Sequence, residues 1–319
     1  MSDMLLEVGN LKTYYFTHGS VIKAVDDVSL EIYKREMVGL VGESGSGKST
    51  LGLSIIRLVP PPGKVVDGKI IIDGEDLLKL RDKELRRIRG KKIGMIFQDP
   101  LTCLDPLRRV GDQIIESITS HIKVDKETAR EMALKVFERV GISPERIDDY
   151  PHQLSGGMRQ RAMIAMAVVL NPKLLIADEP TTALDVVVQS RIMDLLEDLK
   201  NERKMSILLI THDLALVIER CDRVVIMYAG KVCEIGSVEE ISNEPLHPYT
   251  KLLIESIPNV EKTQMELKPI PGTPPDMRNP PLGCRFWPRC PYALDKCRSV
   301  EPRILETDNR VVLCHLYGG

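Results

Sequence analysis

Apolar residues in this chain gather in short runs bounded by glycine, an acid or a polar turn, and such runs predict buried strands of a largely parallel sheet. Met37–Val41 ends at Gly42, Ile93–Phe97 at Gln98, Leu174–Ala177 at Asp178, and Ile207–Ile210 at Thr211. Residues 4–9 and 21–33 alternate apolar and polar positions instead, with β-branched residues, and predict half-buried strands. Lys69–Ile72 before Asp73-Gly74 predicts a strand and turn, and Arg223–Met227 and Lys231–Gly236 continue the sheet. Helical spacing marks the segment carrying Leu51, Leu53, Ile55 and Ile56, then Gly111–Ser120, Lys126–Val140, Met158–Leu170 and Val188–Leu199. No convincing strand lies within 106–170, so this stretch predicts a helical insert between two sheet-forming halves.

The pattern fails near residue 245. Twelve prolines fall between Pro245 and Pro302, too many for long helices or strands, so this tail needs a staple or a docking surface. Four of the seven cysteines, Cys284, Cys290, Cys297 and Cys314, lie in the last 36 residues with spacing C-x5-C-x6-C-x16-C. In a reducing compartment such clustering suggests metal rather than disulfides. Four thiolates suit a tetrahedral zinc or an iron–sulfur cubane, and ordinary unliganded cysteines are the third reading. The net charge of −2 gives no reason to propose a nucleic-acid surface. No run of eighteen apolar residues and no basic-then-apolar leader is visible, so any membrane role is expected through partners.

Three constellations carry the chemistry. Gly42-Glu43-Ser44-Gly45-Ser46-Gly47-Lys48-Ser49 fits G-x-x-x-x-G-K-[ST], and with a strand before it and a helix after it reads as a phosphate loop rather than a plain turn. Its glycines turn backbone N–H groups inward and the helix start adds positive potential. Lys48 reaches the phosphates and Ser49 holds Mg²⁺. Asp178 and Glu179 end an apolar strand, where one acid can hold Mg²⁺ and the next polarise water. Leu154-Ser155-Gly156-Gly157-Met158-Arg159-Gln160-Arg161 opens a helix, a second anion-binding start.

Together and in this order, these motifs resemble those of ABC-type ATPases over roughly residues 5–240. The resemblance implies a fold of the α/β class: a P-loop NTPase core of ABC type over 1–245, with an N-terminal antiparallel β region and a helical subdomain insert at about 99–170, and a small Cys/Pro-rich C-terminal extension over 246–319. It implies an ATP site built from Gly42, Ser44, Gly45, Ser46, Gly47, Lys48, Ser49 and Thr50, with Mg²⁺ held by Ser49, Gln98 and Asp178. Glu179 is then the catalytic base, Gln98 the Q-loop sensor, and His212, in Thr211-His212-Asp213, the switch that contacts the γ-phosphate. Ser155, Gly156 and Gly157 bind the γ-phosphate held by a partner subunit, and Asp185, in Ala183-Leu184-Asp185, lies in the D-loop at the dimer seam. An aromatic stacks on adenine near Tyr15, with Tyr14 and Phe16 leaving the register open.

Asn243–Thr250, Pro269–Pro275 and Cys284–Ala293 resemble the tail of the oligopeptide/dipeptide importer branch. That resemblance implies a [4Fe–4S] cluster on the four tail cysteines, with zinc as the alternative. It implies a peripheral subunit on the cytoplasmic face of the membrane. Its partners are two permease subunits, an extracytoplasmic solute-binding protein and a second ATPase, in a heterodimer before a homodimer. Peptide import is the leading reading. A nickel or oligosaccharide importer is the rival, and a soluble ATPase of DNA repair or translation is a distant one. The resemblance also places a permease-docking groove near Gln98–Leu107.

Overall fold

In the computed structural model of the protein, described for residues 3–182, 184–257, 270–307 and 310–317, the chain divides into two compact units. One comprises Met1–Leu5, Tyr33–Arg35 and Lys79–Leu208, the other Leu6–Ile32, Glu36–Leu78 and Leu209–Gly319. Ala183 and Pro269, named above, lie outside the described residues.

The chain opens with β1 (Met4–Thr17), β2 (Ser20–Tyr33), β3 (Met37–Val41), α1 (Lys48–Ile55), β4 (Gly63–Ile72) and β5 (Glu75–Asp76). Strands β2, β1, β4 and β5 form a four-stranded sheet in that order, with β1–β4 and β4–β5 antiparallel. This is the expected N-terminal antiparallel region. β1 runs far past residue 9 because the ladder to β4 shifts register between Gly9 and Lys12, where Asn10 takes a φ of 47°. The sequence alternation stops at this irregularity, but the strand continues beyond it.

The other unit carries α2 (Asp82–Ile88), β6 (Ile93–Ile96), α3 (Pro100–Cys103), α4 (Val110–Thr119), α5 (Lys126–Arg139), α6 (Gly156–Val168), β7 (Leu174–Asp178), α7 (Val186–Arg203) and the first half of β8 (Ser206–Thr211). β6 and β7 pair in parallel, and all five residues of β7 are buried, as its unbroken apolar run requires. Helices α4, α5 and α6 pack on one another through Ile114, Ile118, Ala133, Phe137 and Ile164, which are fully buried. This is the expected helical insert.

After β8 come α8 (Leu214–Arg220), β9 (Arg223–Tyr228), β10 (Lys231–Ser237), α9 (Val238–Asn243), α10 (Pro248–Glu255), β11 (Ile304–Thr307) and β12 (Arg310–Leu313). β3 and β9 are parallel, while β9–β10, β10–β12 and β11–β12 are antiparallel. The cysteine-bearing tail therefore adds a hairpin to the sheet edge that β10 offers. Its own apolar anchor is Phe286, 1% exposed, which meets Tyr228 edge-on at 5.1 Å and Tyr249 at 5.3 Å.

Candidate functional site

Five buried apolar residues bring β3 to Gly42, and the chain then folds back on itself before α1. Gly42 and Gly47 are steric necessities here. A Cβ on Gly42 would lie 2.0 Å from the Met227 carbonyl, and one on Gly47, at φ 100°, 2.1 Å from that of Ala24. Lys48 is buried, and its ammonium donates to the carbonyls of Gly42 at 2.6 Å and Glu43 at 3.0 Å. The cation is thus held at the centre of the loop. Ser49 and Thr50 follow in the first turn of α1, where backbone N–H groups have no intrahelical acceptor.

The three neighbouring aromatics have distinct roles. The Tyr14 hydroxyl donates to Asp26 at 2.5 Å, and Phe16 is exposed. Tyr15 faces α1, with its hydroxyl 3.5 Å from that of Thr50. His212 follows β8 directly, is exposed, and precedes Asp213, whose carboxylate caps α8 by accepting from Leu216 N–H.

The second unit holds the paired acids. Asp178 is the buried last residue of β7. Glu179 has a φ of 46°, unusual for a side chain with a Cβ and more so directly before Pro180. Such a turn separates the directions of two adjacent carboxylates, and strain of this kind concentrates at functional sites. The Glu179 carboxylate accepts from Thr182 Oγ1 at 2.7 Å and from Gln98 Nε2 at 3.3 Å. Gln98, just past β6, and Glu179 are therefore brought together across 81 residues. Thr182 is a partner that sequence reasoning missed, although it stands only three residues on.

Ser155 caps α6, its hydroxyl accepting from Met158 N–H at 3.3 Å. Gly156 has open space where a Cβ would be, and Gly157 would meet Val188 at 3.1 Å. Asp185 caps α7 by accepting from Val188 N–H at 2.9 Å, which accounts structurally for an acid at that position.

The tail cysteines are all free thiols. Burial pushes the Cys284 thiol up to about 12, and burial likewise raises Cys290 and Cys314. The Cys297 sulfur accepts the Leu294 N–H at 3.4 Å, and the backbone N–H groups of Phe286, Tyr292 and Leu316 partly offset the effect of burial on Cys284, Cys290 and Cys314. Among the described residues, no group of three or more His, Cys, Asp or Glu is placed to hold a metal ion. This arrangement supports neither the [4Fe–4S] cluster nor the zinc alternative expected from the sequence.

Sequence reasoning also missed three tail side chains that bind the nucleotide unit. Tyr249 and Arg289 meet Glu43 of the phosphate loop, and Arg285 meets Asp26. Burial opposes the Arg289 charge, but hydrogen bonding to Glu43 and Tyr228 outweighs it and raises the guanidinium further. Burial lowers Arg285. For Asp26, burial works against ionisation, yet the Tyr14 hydroxyl and Arg285 together hold its carboxyl below the usual range. No local pattern announces these contacts, which join residues more than 200 positions apart.

Residues 25–182 match the ABC transporter family, and residues 233–297 match the C-terminal region of oligopeptide/dipeptide transporters. The chain is 48% identical to the dipeptide transport ATP-binding protein DppD of Bacillus subtilis, across 98% of this chain and 95% of that protein. It is 49% identical to the oligopeptide transport ATP-binding protein AppD of the same organism, across 98% and 97%. It is 46% identical to the dipeptide transport ATP-binding protein DppD of Escherichia coli, across 98% and 96%. Among solved structures it is similar to the dimeric ATP-binding cassette MJ0796 bound to ADP and phosphate, with TM-score 0.66 and 31% identity over 73% of this chain and 98% of that one. CbiO1 from Clostridium perfringens, part of an ABC transporter complex, gives 0.65 and 30% over 76% and 92%.

Proposed function

The chain belongs to the ABC transporter family, in its oligopeptide/dipeptide branch, and from that premise we propose that it hydrolyses ATP to drive import of di- and oligopeptides. One observation carries the reading: a phosphate loop, a signature helix start and an Asp178–Glu179 strand end occur in one chain whose tail matches the peptide-transporter region.

The division of labour follows from the residues. Lys48 and the N–H groups of Ser44 to Thr50 bind the β- and γ-phosphates. Ser49, Gln98 and Asp178 offer the hard oxygen ligands that suit Mg²⁺, which neutralises phosphate charge when bound. Glu179 polarises the water that attacks the γ-phosphorus. The new P–O bond replaces the bond to the β-phosphate oxygen, and ADP leaves. The Gln98 and Thr182 donors support this role by fixing the carboxylate. His212 contacts the γ-phosphate. Tyr15 is the adenine platform, supported by its position over Thr50 while Tyr14 is engaged with Asp26.

Ser155, Gly156 and Gly157 act on the nucleotide of a second ATPase subunit, with Asp185 at the seam, so ATP joins the pair and hydrolysis releases it. That pair, a heterodimer in this reading, works at the cytoplasmic face beneath two permeases fed by a solute-binding protein. The nucleotide domain spans 1–245 and the extension 246–319. No helix among the described residues is long and apolar enough to cross a membrane, in keeping with a peripheral subunit. For the tail we propose a [4Fe–4S] cluster on Cys284, Cys290, Cys297 and Cys314. Supporting it is the gathering of the four thiols in one small region, near enough for their charges to act on one another. About four irons and four sulfides per anaerobically purified chain are expected; their absence removes the cluster.

Cargo is tested in cells whose only copy is Glu179→Gln. Loss of growth on a dipeptide as the amino-acid source, restored by the unaltered chain, is expected. Intact dipeptide use with lost nickel or oligosaccharide uptake would transfer the assignment to the rival.

A further inference from the structure

Every polar group of Glu43, the second residue of the phosphate loop, is taken, and two of its four partners come from the tail. Arg289, with its side chain 5% exposed, forks onto the carboxylate, Nη1 to Oε2 at 2.7 Å and Nη2 to Oε1 at 3.0 Å. The Glu43 amide donates to the Tyr249 hydroxyl at 2.9 Å. Its carbonyl accepts from Lys48 at 3.0 Å and from the Ser46 N–H at 3.1 Å, both inside the loop itself. Arg289 is fixed in turn: its Nε donates to the Pro271 carbonyl at 2.7 Å and its Nη1 to the Tyr228 hydroxyl at 3.2 Å.

A second route ends on the same loop. Arg285 donates to the Asp26 carboxylate and to the Ala229 carbonyl. Next along the chain, Gly230 accepts from the Asp26 amide and donates to the Ser46 carbonyl, both at 2.8 Å. The tail therefore grips the loop at Glu43 and braces the turn that holds Ser46.

We propose that the C-terminal tail sets the geometry and charge of the phosphate loop, with Arg289 and Tyr249 as positioning residues for nucleotide binding. Two physical effects act together. A forked guanidinium–carboxylate pair is directional, so it fixes the peptide whose carbonyl holds Lys48. Glu43 also puts a negative charge in a loop that must accept a triphosphate, and Arg289 cancels it. The tail is thus a determinant of ATP affinity rather than a separate appendage. This inference rests on the phosphate-loop reading above.

The test measures Mg-ATP affinity and steady-state turnover on the full chain. Arg289→Gln should weaken ATP binding by about tenfold, as expected for losing a charge-assisted pair. Turnover at saturating ATP should stay within about threefold, because the reacting groups are untouched. Adding Glu43→Gln to Arg289→Gln should recover much of the lost affinity, since it removes the stranded charge; a merely structural defect would not be repaired this way. Tyr249→Phe keeps the ring and drops the hydroxyl, and reads the same clamp should Arg289→Gln not fold; it should weaken binding by about threefold. Unchanged affinity in Arg289→Gln and Tyr249→Phe, or purely additive losses in the double variant, overturns the proposal. Lys48→Ala separates the two readings: a chain whose ATP affinity ignores this change contradicts the phosphate loop itself, whereas loss on Lys48→Ala with no response to Arg289→Gln and Tyr249→Phe contradicts the tail's role alone.

Discussion

The nucleotide-binding core and the tail that grips it are held by opposite means. β3 is apolar and buried from end to end, and a sequence pattern is enough to announce it. Residues 270–307 and 310–317 have few such positions. They dock through Phe286 and three buried or near-buried acid–arginine pairs: Asp26–Arg285, Glu43–Arg289 and Glu234–Arg310. Glu234 is wholly buried, and its carboxylate also accepts from the N–H groups of Leu246 and His247. Apolar packing is tolerant of partner and indifferent to pH. Buried ion pairs add little net stability but cannot be broken singly without stranding a charge. A segment docked in this way is therefore fixed in one register and exposed to changes in charge.

The contrast can be broken by substitution. Arg310→Met strands the Glu234 carboxylate and should cost about 3–5 kcal/mol by urea unfolding. Adding Glu234→Gln should return at least half of the loss. A cost below about 1 kcal/mol would mean the tail does not depend on its charges. In the core, Leu40→Ala removes a fully buried side chain from β3 and should cost about 3 kcal/mol, equally at pH 7 and pH 5. A strong pH dependence there would blur the distinction.

His247 sharpens it. Burial depresses this imidazole to about 3, while its Nδ1 accepts from Tyr249 N–H and its own amide donates to Glu234. A depressed folded pKa means that the unfolded chain takes the proton first. The stability contributed by neutral His247 is therefore complete above about pH 6.5 and falls as pH drops toward 3. About 2 kcal/mol should be lost between pH 7 and pH 5. His247→Asn, which keeps a cap for α10, should flatten that slope. An unchanged slope would assign the pH dependence to other groups.

The same contrast explains what could be read in the sequence. Strand ends that carry chemistry, Gly42, Gln98, Asp178 and Thr211-His212, stood out because short apolar runs stop abruptly there. β1 was legible only to its irregularity at Asn10, since a register shift resets the alternation that marks a strand. The tail hairpin, β11 with β12, was not legible: each strand has four residues, and β11 is mostly exposed. The need for a docking surface was visible in the prolines, but its partners were not. Arg289 meets Glu43 across 246 residues, and no local spacing encodes such a pairing. The tail cysteines gave a donor set without its arrangement, and among the described residues no three such ligands are placed to hold a metal ion.

Whether Glu179 activates the attacking water is read from one paired measurement: equilibrium Mg-ATP binding and steady-state hydrolysis by the full chain and by Glu179→Gln. Affinities within about threefold of each other and a turnover at least about a hundredfold lower in the variant are expected. Turnover within a few fold of the unaltered chain would contradict this role, because the strained strand-end carboxylate would then have no part in the chemistry.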